Sequence, residues 1–193
     1  MPTELIERGG VVSCARYSGA VRRAVLQWKD HGDLEVGALL ASHLGDLVAK
    51  SSGDLMRWGN GPAQSSDTTS LAVVPAPSSA KSRAKRGRLQ TRELADAVAK
   101  RLNECGTPAC VVEGLAFEGM WRKSVQARGA RAREQRARHA ITVRPQKFPA
   151  DCSRVFLVDD ICTTGSTLLG CARRLTAAGF RVVGAASVAS VQE

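Results

Sequence analysis

Four short apolar runs, separated by segments with helical periodicity, place the strongest constraint on how this chain can fold. The runs cover residues 71–74, 109–112, 155–158 and 182–188. None shows the polar alternation of a half-exposed antiparallel strand, so each is expected to be buried on both faces. Amphipathic helices are predicted between the runs, over residues 91–102 and 167–178. Strands that alternate with helices predict an α/β fold with a parallel sheet and right-handed crossovers.

The residues that precede these runs predict a different kind of structure. Ser18 is a predicted N-cap for a helix that ends near Gly32, and Asp33 for a second helix that ends near Lys50. The stretch from there to residue 70 is rich in Gly, Ser and Asn and predicts a loop or linker. We therefore expect an N-terminal helical cap and linker at 1–70 and a core at 71–193.

The stretch 155–167 carries the clearest chemical signal. Its apolar strand is followed by Asp159-Asp160 and then by a hydroxyl-rich turn that opens onto a helix. Open α/β sheets bind ligands at the carboxyl ends of their strands, where these carboxylates would lie. A helix N-terminus with backbone N–H groups and hydroxyls around it can hold one anion. The turn residues are Thr163, Thr164, Gly165, Ser166 and Thr167. The alternative is an acidic turn with an ordinary Ser/Thr helix cap.

The stretch 155–167 resembles the phosphoribosyl pyrophosphate (PRPP) motif of type I phosphoribosyltransferases. It consists of four apolar residues, Asp-Asp, two further residues and Thr-Thr-Gly-x-Thr. The resemblance implies a sheet of the phosphoribosyltransferase type I kind, with the N-terminal helices as a hood or cap. It implies that Asp159 and Asp160, the catalytic candidates, bind the 2′- and 3′-hydroxyls of ribose. Residues 163–167 would then bind the 5′-phosphate, with Mg²⁺ bound together with PRPP.

Three further stretches resemble the ComF family, competence-associated proteins that are similar to phosphoribosyltransferases. Residues 74–77 and 83–90 resemble the strand, P-x-P turn and R-x-x-R-G-F-N-Q stretch of that family, although Arg88-Leu89 replaces its Phe-Asn. Residues 17–32 are similar to its Y-x-G-x-v-r and K-x-x-G lead-in. The cysteine-rich, zinc-binding N-terminus of many members is missing, with only Cys14 in its place, so we expect no structural metal.

The turn after the first apolar run suits the diphosphate of PRPP. A proline-punctuated turn at the end of a strand can direct backbone N–H groups at such an anion. Nearby basic side chains could neutralise the charge of the diphosphate as it leaves. The predicted pyrophosphate-binding residues are Ala76, Pro77, Ser78, Arg83, Lys85 and Arg86.

The positive charge of the chain lies in its middle section. The formal net charge is +10, and the excess is concentrated in residues 81–92 and 122–138. Such a local excess predicts a polyanionic partner, either a phosphorylated small molecule or nucleic acid, although solvated helix faces are an alternative. The segment 122–138 is interpreted either as a loop that closes over PRPP or as an arginine-rich element that contacts a nucleic-acid backbone.

The sequence thus predicts a protein that binds PRPP or a ribose-5-phosphate-containing nucleotide. Its expected reaction transfers the phosphoribosyl group to a nitrogen nucleophile and releases pyrophosphate, a glycosyltransferase step of nucleotide metabolism. A catalytically silent PRPP sensor and a single-stranded DNA handling protein for competence remain open alternatives. No apolar stretch approaches the roughly 18 to 20 residues that span a bilayer, so we expect a cytoplasmic protein without a membrane partner. Homo-oligomerisation stays open.

Overall fold

A parallel β-sheet with helices on both faces forms the centre of the molecule. The computed structural model describes residues 10–58, 70–78, 89–117 and 141–191. In chain order the elements of these residues are β1 (Val11–Arg16), α1 (Gly19–His31), α2 (Leu34–Trp58), β2 (Leu71–Pro75), α3 (Gln90–Glu104), β3 (Ala109–Val111), β4 (Leu115–Phe117), β5 (Ile141–Val143), a 3-10 turn (Pro145–Lys147), β6 (Arg154–Cys162), α4 (Ser166–Ala177) and β7 (Arg181–Ser190).

The order of the strands defines the class of the fold. Over the described residues, five parallel strands pair in the order β1-β7-β6-β2-β3, and β4 and β5 form a separate antiparallel pair. The chain leaves β2 through α3 to reach β3 on one side, and it leaves β6 through α4 to reach β7 on the other. The strand order therefore reverses between β2 and β6. The predicted α/β class with a parallel sheet is confirmed.

Two apolar layers cover the sheet, and alternate residues of each central strand enter opposite layers. Val73 of β2 and Phe156 of β6 pack with α1, α2 and α3, whereas Val74 and Leu157 pack with α4. The four side chains are between 0% and 1% exposed, and each contributes roughly 1.5 to 3 kcal/mol by leaving water. Burial on both faces explains why these strands have continuous apolar sequences.

The N-terminal section differs from its predicted form in two respects. The prediction of a loop from residue 51 is wrong for residues 51–58, because α2 continues to Trp58. Helix extension adds one hydrogen bond for each residue fixed, and a glycine within a helix costs only about 1 kcal/mol relative to alanine. The remainder of the predicted linker, residues 59–69, lies outside the described residues.

The second difference is β1, a strand that the sequence did not predict. It pairs in parallel with β7, from Val11 opposite Ala185 to Arg16 opposite Ser190. Its residues are only half-buried or exposed, because β1 is an edge strand. A strand of this kind lacks the continuous apolar run that marks the central strands. The N-terminal section therefore contributes a strand to the sheet as well as helices.

Candidate functional site

The strand order reverses between β2 and β6, and the space at the carboxyl ends of these two strands is called the crevice below. Such a switch point is where open α/β sheets bind their ligands. Pairing between β2 and β6 ends at Pro75 and Val158, whereas β6 stays paired with β7 as far as Cys162. The last four residues of β6 thus extend beyond β2. Asp159 and Asp160 belong to this extension, at the strand end where the sequence predicted them.

The turn that follows β2 lies beside this extension. The Ala76 N–H donates to the carbonyl of Val158 over 2.7 Å, and the Ala76 carbonyl accepts from Thr91 Oγ1 at 2.9 Å. Ala76 and Pro77 are buried and Ser78 is half-buried. The structure therefore brings the turn 76–78 to the same edge as the aspartates. Because Ala76 uses its N–H for Val158 and proline has none, only Ser78 of these three could offer a backbone N–H to a ligand.

The two aspartates form a partly buried acidic pair. The Asp160 N–H donates to Asp159 Oδ1 over 2.8 Å, and Lys29 Nζ lies 2.5 Å from Asp160 Oδ2. Burial and the negative charge of Asp160 raise the pKa of Asp159 from its usual 3.8 to about 8. The hydrogen bond from the Asp160 amide and the positive charge of Lys29 act in the opposite direction. The pair thus tends to keep one proton at neutral pH.

The hydroxyl-rich turn follows after two further residues. Thr163, Thr164 and Thr167 are exposed, and α4 begins at Ser166 directly after Gly165. Thr164 Oγ1 and Ser166 Oγ are 2.7 Å apart, so two hydroxyls lie together at the start of the helix. The N-cap position is Gly165, and no side chain caps the helix there. The Thr164 hydroxyl accepts a hydrogen bond from the Ser166 N–H over 3.4 Å, so the alternative of a Ser/Thr helix start stays open beside the predicted phosphate site.

Gly165 has a φ of 68°, in the left-handed region that residues with a Cβ rarely adopt. The left-handed conformation of Gly165 lets the chain turn from β6 directly into α4. The acidic pair and the helix N-terminus therefore lie at the same edge of the sheet. The positive end of the helix dipole then faces the crevice.

Three residues of this region were not predicted as site residues. Lys29 comes from the last turn of α1, and Gln90 and Thr91 begin α3. Gln90 is 4% exposed and Thr91 is 2% exposed, which is unusual burial for polar side chains. In the sequence, Lys29 and Gln90 belonged to stretches that resemble the ComF family, but that resemblance gave neither of them a role. Their contacts join elements that are distant in the chain.

The basic part of the predicted site is not described by the structure. Arg83, Lys85 and Arg86 lie outside the described residues, as does the segment 122–138. Their roles stay predictions. Within the described ranges, no group of three or more His, Cys, Asp or Glu side chains could hold a metal ion. Asp159 and Asp160 are the candidates for the ribose hydroxyls, so Mg²⁺ would be held through the diphosphate of PRPP and through water, as this ion commonly is.

Comparison with known proteins gives a likeness to solved structures. No family model matches the chain, and no curated protein matches it. A solved structure that is similar to this chain is the crystal structure of orotate phosphoribosyltransferase from Aeropyrum pernix, with 17% sequence identity and a TM-score of 0.38. The likeness covers 98% of this chain and 80% of that chain. The assignment as an α/β protein with a crevice at a strand-order switch rests on the strand order of the chain itself.

None of the helices among the described residues is both long enough and apolar enough to cross a membrane. The resemblance to the ComF family stays a prediction from residues 17–32, 74–77 and 83–90.

Proposed function

We propose that this protein binds PRPP in the crevice between β2 and β6. The carboxylates of Asp159 and Asp160 hold the 2′- and 3′-hydroxyls of ribose, and the turn 163–167 holds the 5′-phosphate. The observation that carries the proposal is the joint position of these two features. A partly buried acidic pair and a hydroxyl-lined helix N-terminus lie two residues apart at the switch point of a parallel sheet.

Each feature suits one part of a ribose 5-phosphate group. A vicinal diol presents two O–H donors, and two adjacent carboxylates present acceptors for both. A hydrogen bond to a charged group contributes about 1.5 to 3 kcal/mol. A phosphate requires donors and positive potential, which the start of α4 and the hydroxyls of Thr164 and Ser166 supply.

The reaction that this arrangement supports is transfer of the phosphoribosyl group. The bond from ribose C1 to the diphosphate breaks, a bond from C1 to a nitrogen nucleophile forms, and the diphosphate takes the bonding electrons. Positive charge develops on the ribose ring while the acidic pair holds the ring in place. When bound with the diphosphate, Mg²⁺ supplies charge neutralisation for the leaving group. Ser78 borders the diphosphate, and Arg83, Lys85 and Arg86 complete its surroundings.

Titration calorimetry with PRPP and Mg²⁺ tests the binding proposal. The double variant Asp159→Asn/Asp160→Asn should lose roughly 100-fold or more in affinity, because two charge-assisted hydrogen bonds become weaker. Asp96→Asn is the matched control, since Asp96 is an exposed aspartate of α3 in an ion pair with Arg92. The control should bind PRPP as the wild type does. Equal affinities of the wild type and the double variant would overturn the assignment.

The charge of the middle section favours a second candidate, a contact between residues 122–138 and the backbone of single-stranded DNA. Seven basic residues and one acidic residue occupy this segment. DNA binding should then weaken with salt, with a log–log slope of about −0.7 for each phosphate neutralised. Replacement of Arg128, Arg131, Arg136 and Arg138 by glutamine should reduce that slope and leave PRPP affinity unchanged. If the same replacements weaken PRPP binding instead, the segment belongs to the PRPP site.

A further inference from the structure

An ion pair joins the N-terminal helices to the acidic pair of the crevice. Lys29 Nζ lies 2.5 Å from Asp160 Oδ2, and both side chains are only 16% exposed. The Lys100–Glu104 pair on α3 has the same N···O separation, but its side chains are 72% and 40% exposed. An exposed pair of that kind contributes little, whereas loss of one partner from a buried pair leaves an uncompensated charge. Lys29 is therefore well placed to control the acidic pair.

The backbone of Lys29 is fixed by a second contact. Gln90 Nε2 donates to the carbonyls of Trp28 and Lys29, each over 3.2 Å, at the end of α1. Trp28 is fully buried, and its indole N–H points at Glu93 Oε2 over 3.4 Å. The end of α1 is thus attached to the start of α3. This attachment holds the base of the Lys29 side chain beside the crevice.

We propose that Lys29 is a positioning residue of the site, held by Gln90, whose ammonium group holds Asp160 in place and favours the state in which both carboxylates accept hydrogen bonds from a ligand diol. A diol needs acceptors for two O–H groups. Two adjacent carboxylates retain a proton more strongly when no cation is near, and a protonated carboxyl group offers a donor in place of an acceptor. The nature of the ligand rests on the proposed function, but the action of Lys29 on the acidic pair also exists without ligand.

The other groups that face Asp159 do not replace this cation. Cys162 on β6 and Cys171 on α4 both interact with the charge of Asp159, and burial raises the pKa of each thiol, so both stay neutral. The partner of Asp159 on β7 is Ser187, which carries no charge. The turn 76–78 after β2 contains no titratable side chain. Among the described residues around Asp159, the positive charge comes from Lys29 of α1.

The ligand-free protein provides the first test, by carbon-13 NMR titration of the Asp159 carboxyl group. In Lys29→Met, Asp159 should release its proton at a higher pH than in the wild type, because an attractive charge is lost. Lys29→Arg should restore the wild-type titration, since a cation returns. Lys100→Met is the matched control and should leave the titration unchanged. An unchanged titration in Lys29→Met would overturn the proposal.

Gln90→Met provides a second variant that keeps every charge, should Lys29→Met fail to fold. It removes both hydrogen bonds to the end of α1, so Asp159 should again titrate at a higher pH, by a smaller shift than expected for Lys29→Met. Circular dichroism would verify the fold of each variant. A wild-type titration in a folded Gln90→Met protein would contradict the role of Gln90.

Calorimetry with PRPP and Mg²⁺ across a range of pH links the pair to its ligand. Lys29→Met should bind at least about 10-fold more weakly than the wild type at neutral pH, the lower end for one charge-assisted hydrogen bond. Its affinity should recover at higher pH, where Asp159 ionises without help. If the wild type binds no PRPP but the NMR shift occurs, the proposed function fails and the role of Lys29 stands. If PRPP binds and neither effect occurs, the role of Lys29 fails.

Discussion

Asp159 and Asp160 are partly buried in β6, and Asp160 contacts a lysine from α1, whereas Thr163 and Thr164 are exposed only three residues further along the chain. The acidic pair depends on helices from other parts of the sequence. The turn is built locally, from a glycine conformation and from hydroxyls that contact each other. The difference suggests that substitutions in the turn affect one ligand group, while substitutions around the acidic pair also affect stability and its dependence on pH.

The largest effect is expected at the local turn. Gly165→Val should abolish detectable binding of ribose 5-phosphate in calorimetry, because a β-branched residue is strongly disfavoured at a φ of 68° and its side chain enters the phosphate turn. Gly106→Val is the matched control. Gly106 has a φ of 79° after α3, and a Cβ there would meet no atom within 4 Å.

Gly106→Val should show backbone strain comparable to that of Gly165→Val but should bind ribose 5-phosphate with the wild-type affinity. Circular dichroism should show an intact fold for both variants. Retained binding by Gly165→Val would mean that the turn serves only as a helix start.

The contrast also shows what the sequence could predict. The central strands, α4 and the turn 163–167 follow from signals within a few residues, namely continuous apolar runs, helical periodicity and a glycine. The edge strand β1 carries no such signal, because its residues are only half-buried or exposed. It is held in the sheet by its pairing with β7, a strand from the other end of the chain. The Lys29–Asp160 contact and the Gln90 hydrogen bonds join residues that only the strand order brings together. The sequence pattern of a single segment cannot predict contacts of this kind.

The second prediction concerns how much the buried acidic pair lowers the stability of the folded protein. The folded-state pKa of Asp159 is raised from 3.8 to about 8, so between these values the folded protein binds more protons than the unfolded chain does. As far as this group is concerned, stability should therefore be highest at and below about pH 4, fall as pH rises from about 4 to 8, and stay at the lower level above that. Asp159→Asn removes the ionisation and should make this decline smaller.

Thermal unfolding of the ligand-free protein from pH 5 to 9 measures the effect. Asp159→Asn should have a higher Tm than the wild type at pH 9, because it buries no second charge beside Asp160. The control is Asp151→Asn, an exposed aspartate before β6, which should follow the wild-type curve. Parallel curves for the wild type and Asp159→Asn would show that the carboxyl of Asp159 ionises normally.

The third prediction tests whether the packing of α1 reaches the acidic pair. A Cβ at Gly37 of α2 would lie 2.6 Å from Cδ1 and from Nε1 of the Trp28 ring, so Gly37→Ala must displace that ring. We expect a loss of about 1 to 3 kcal/mol in the free energy of unfolding, as is usual for overpacking. Because Trp28 precedes Lys29, the variant should also bind PRPP more weakly at neutral pH.

Chemical denaturation measures the first effect of Gly37→Ala and calorimetry the second. Ala38→Gly at an exposed neighbouring position of α2 is a control that lowers stability by about 0.5 to 1 kcal/mol without moving Trp28. It should leave PRPP affinity unchanged. If Gly37→Ala binds PRPP with the same affinity as Ala38→Gly and the wild type, the position of α1 has no influence on the crevice.

The smallest effect is expected for a single hydroxyl of the turn. Thr164→Ala removes one member of the pair that Thr164 Oγ1 forms with Ser166 Oγ at 2.7 Å. A hydrogen bond to a charged group contributes at least about 1.5 kcal/mol, so affinity for ribose 5-phosphate should fall roughly 10-fold in calorimetry. Thr164→Ser should retain the wild-type affinity, and Thr142→Ala in β5 should have no effect, since Thr142 bonds a backbone carbonyl away from the crevice. Because Thr164 belongs to the turn, the loss should be the same at pH 7.5 and at pH 9, a range in which the phosphate stays a dianion. A loss that depends on pH would indicate that the turn and the acidic pair act as one unit, and the contrast between them would then not hold.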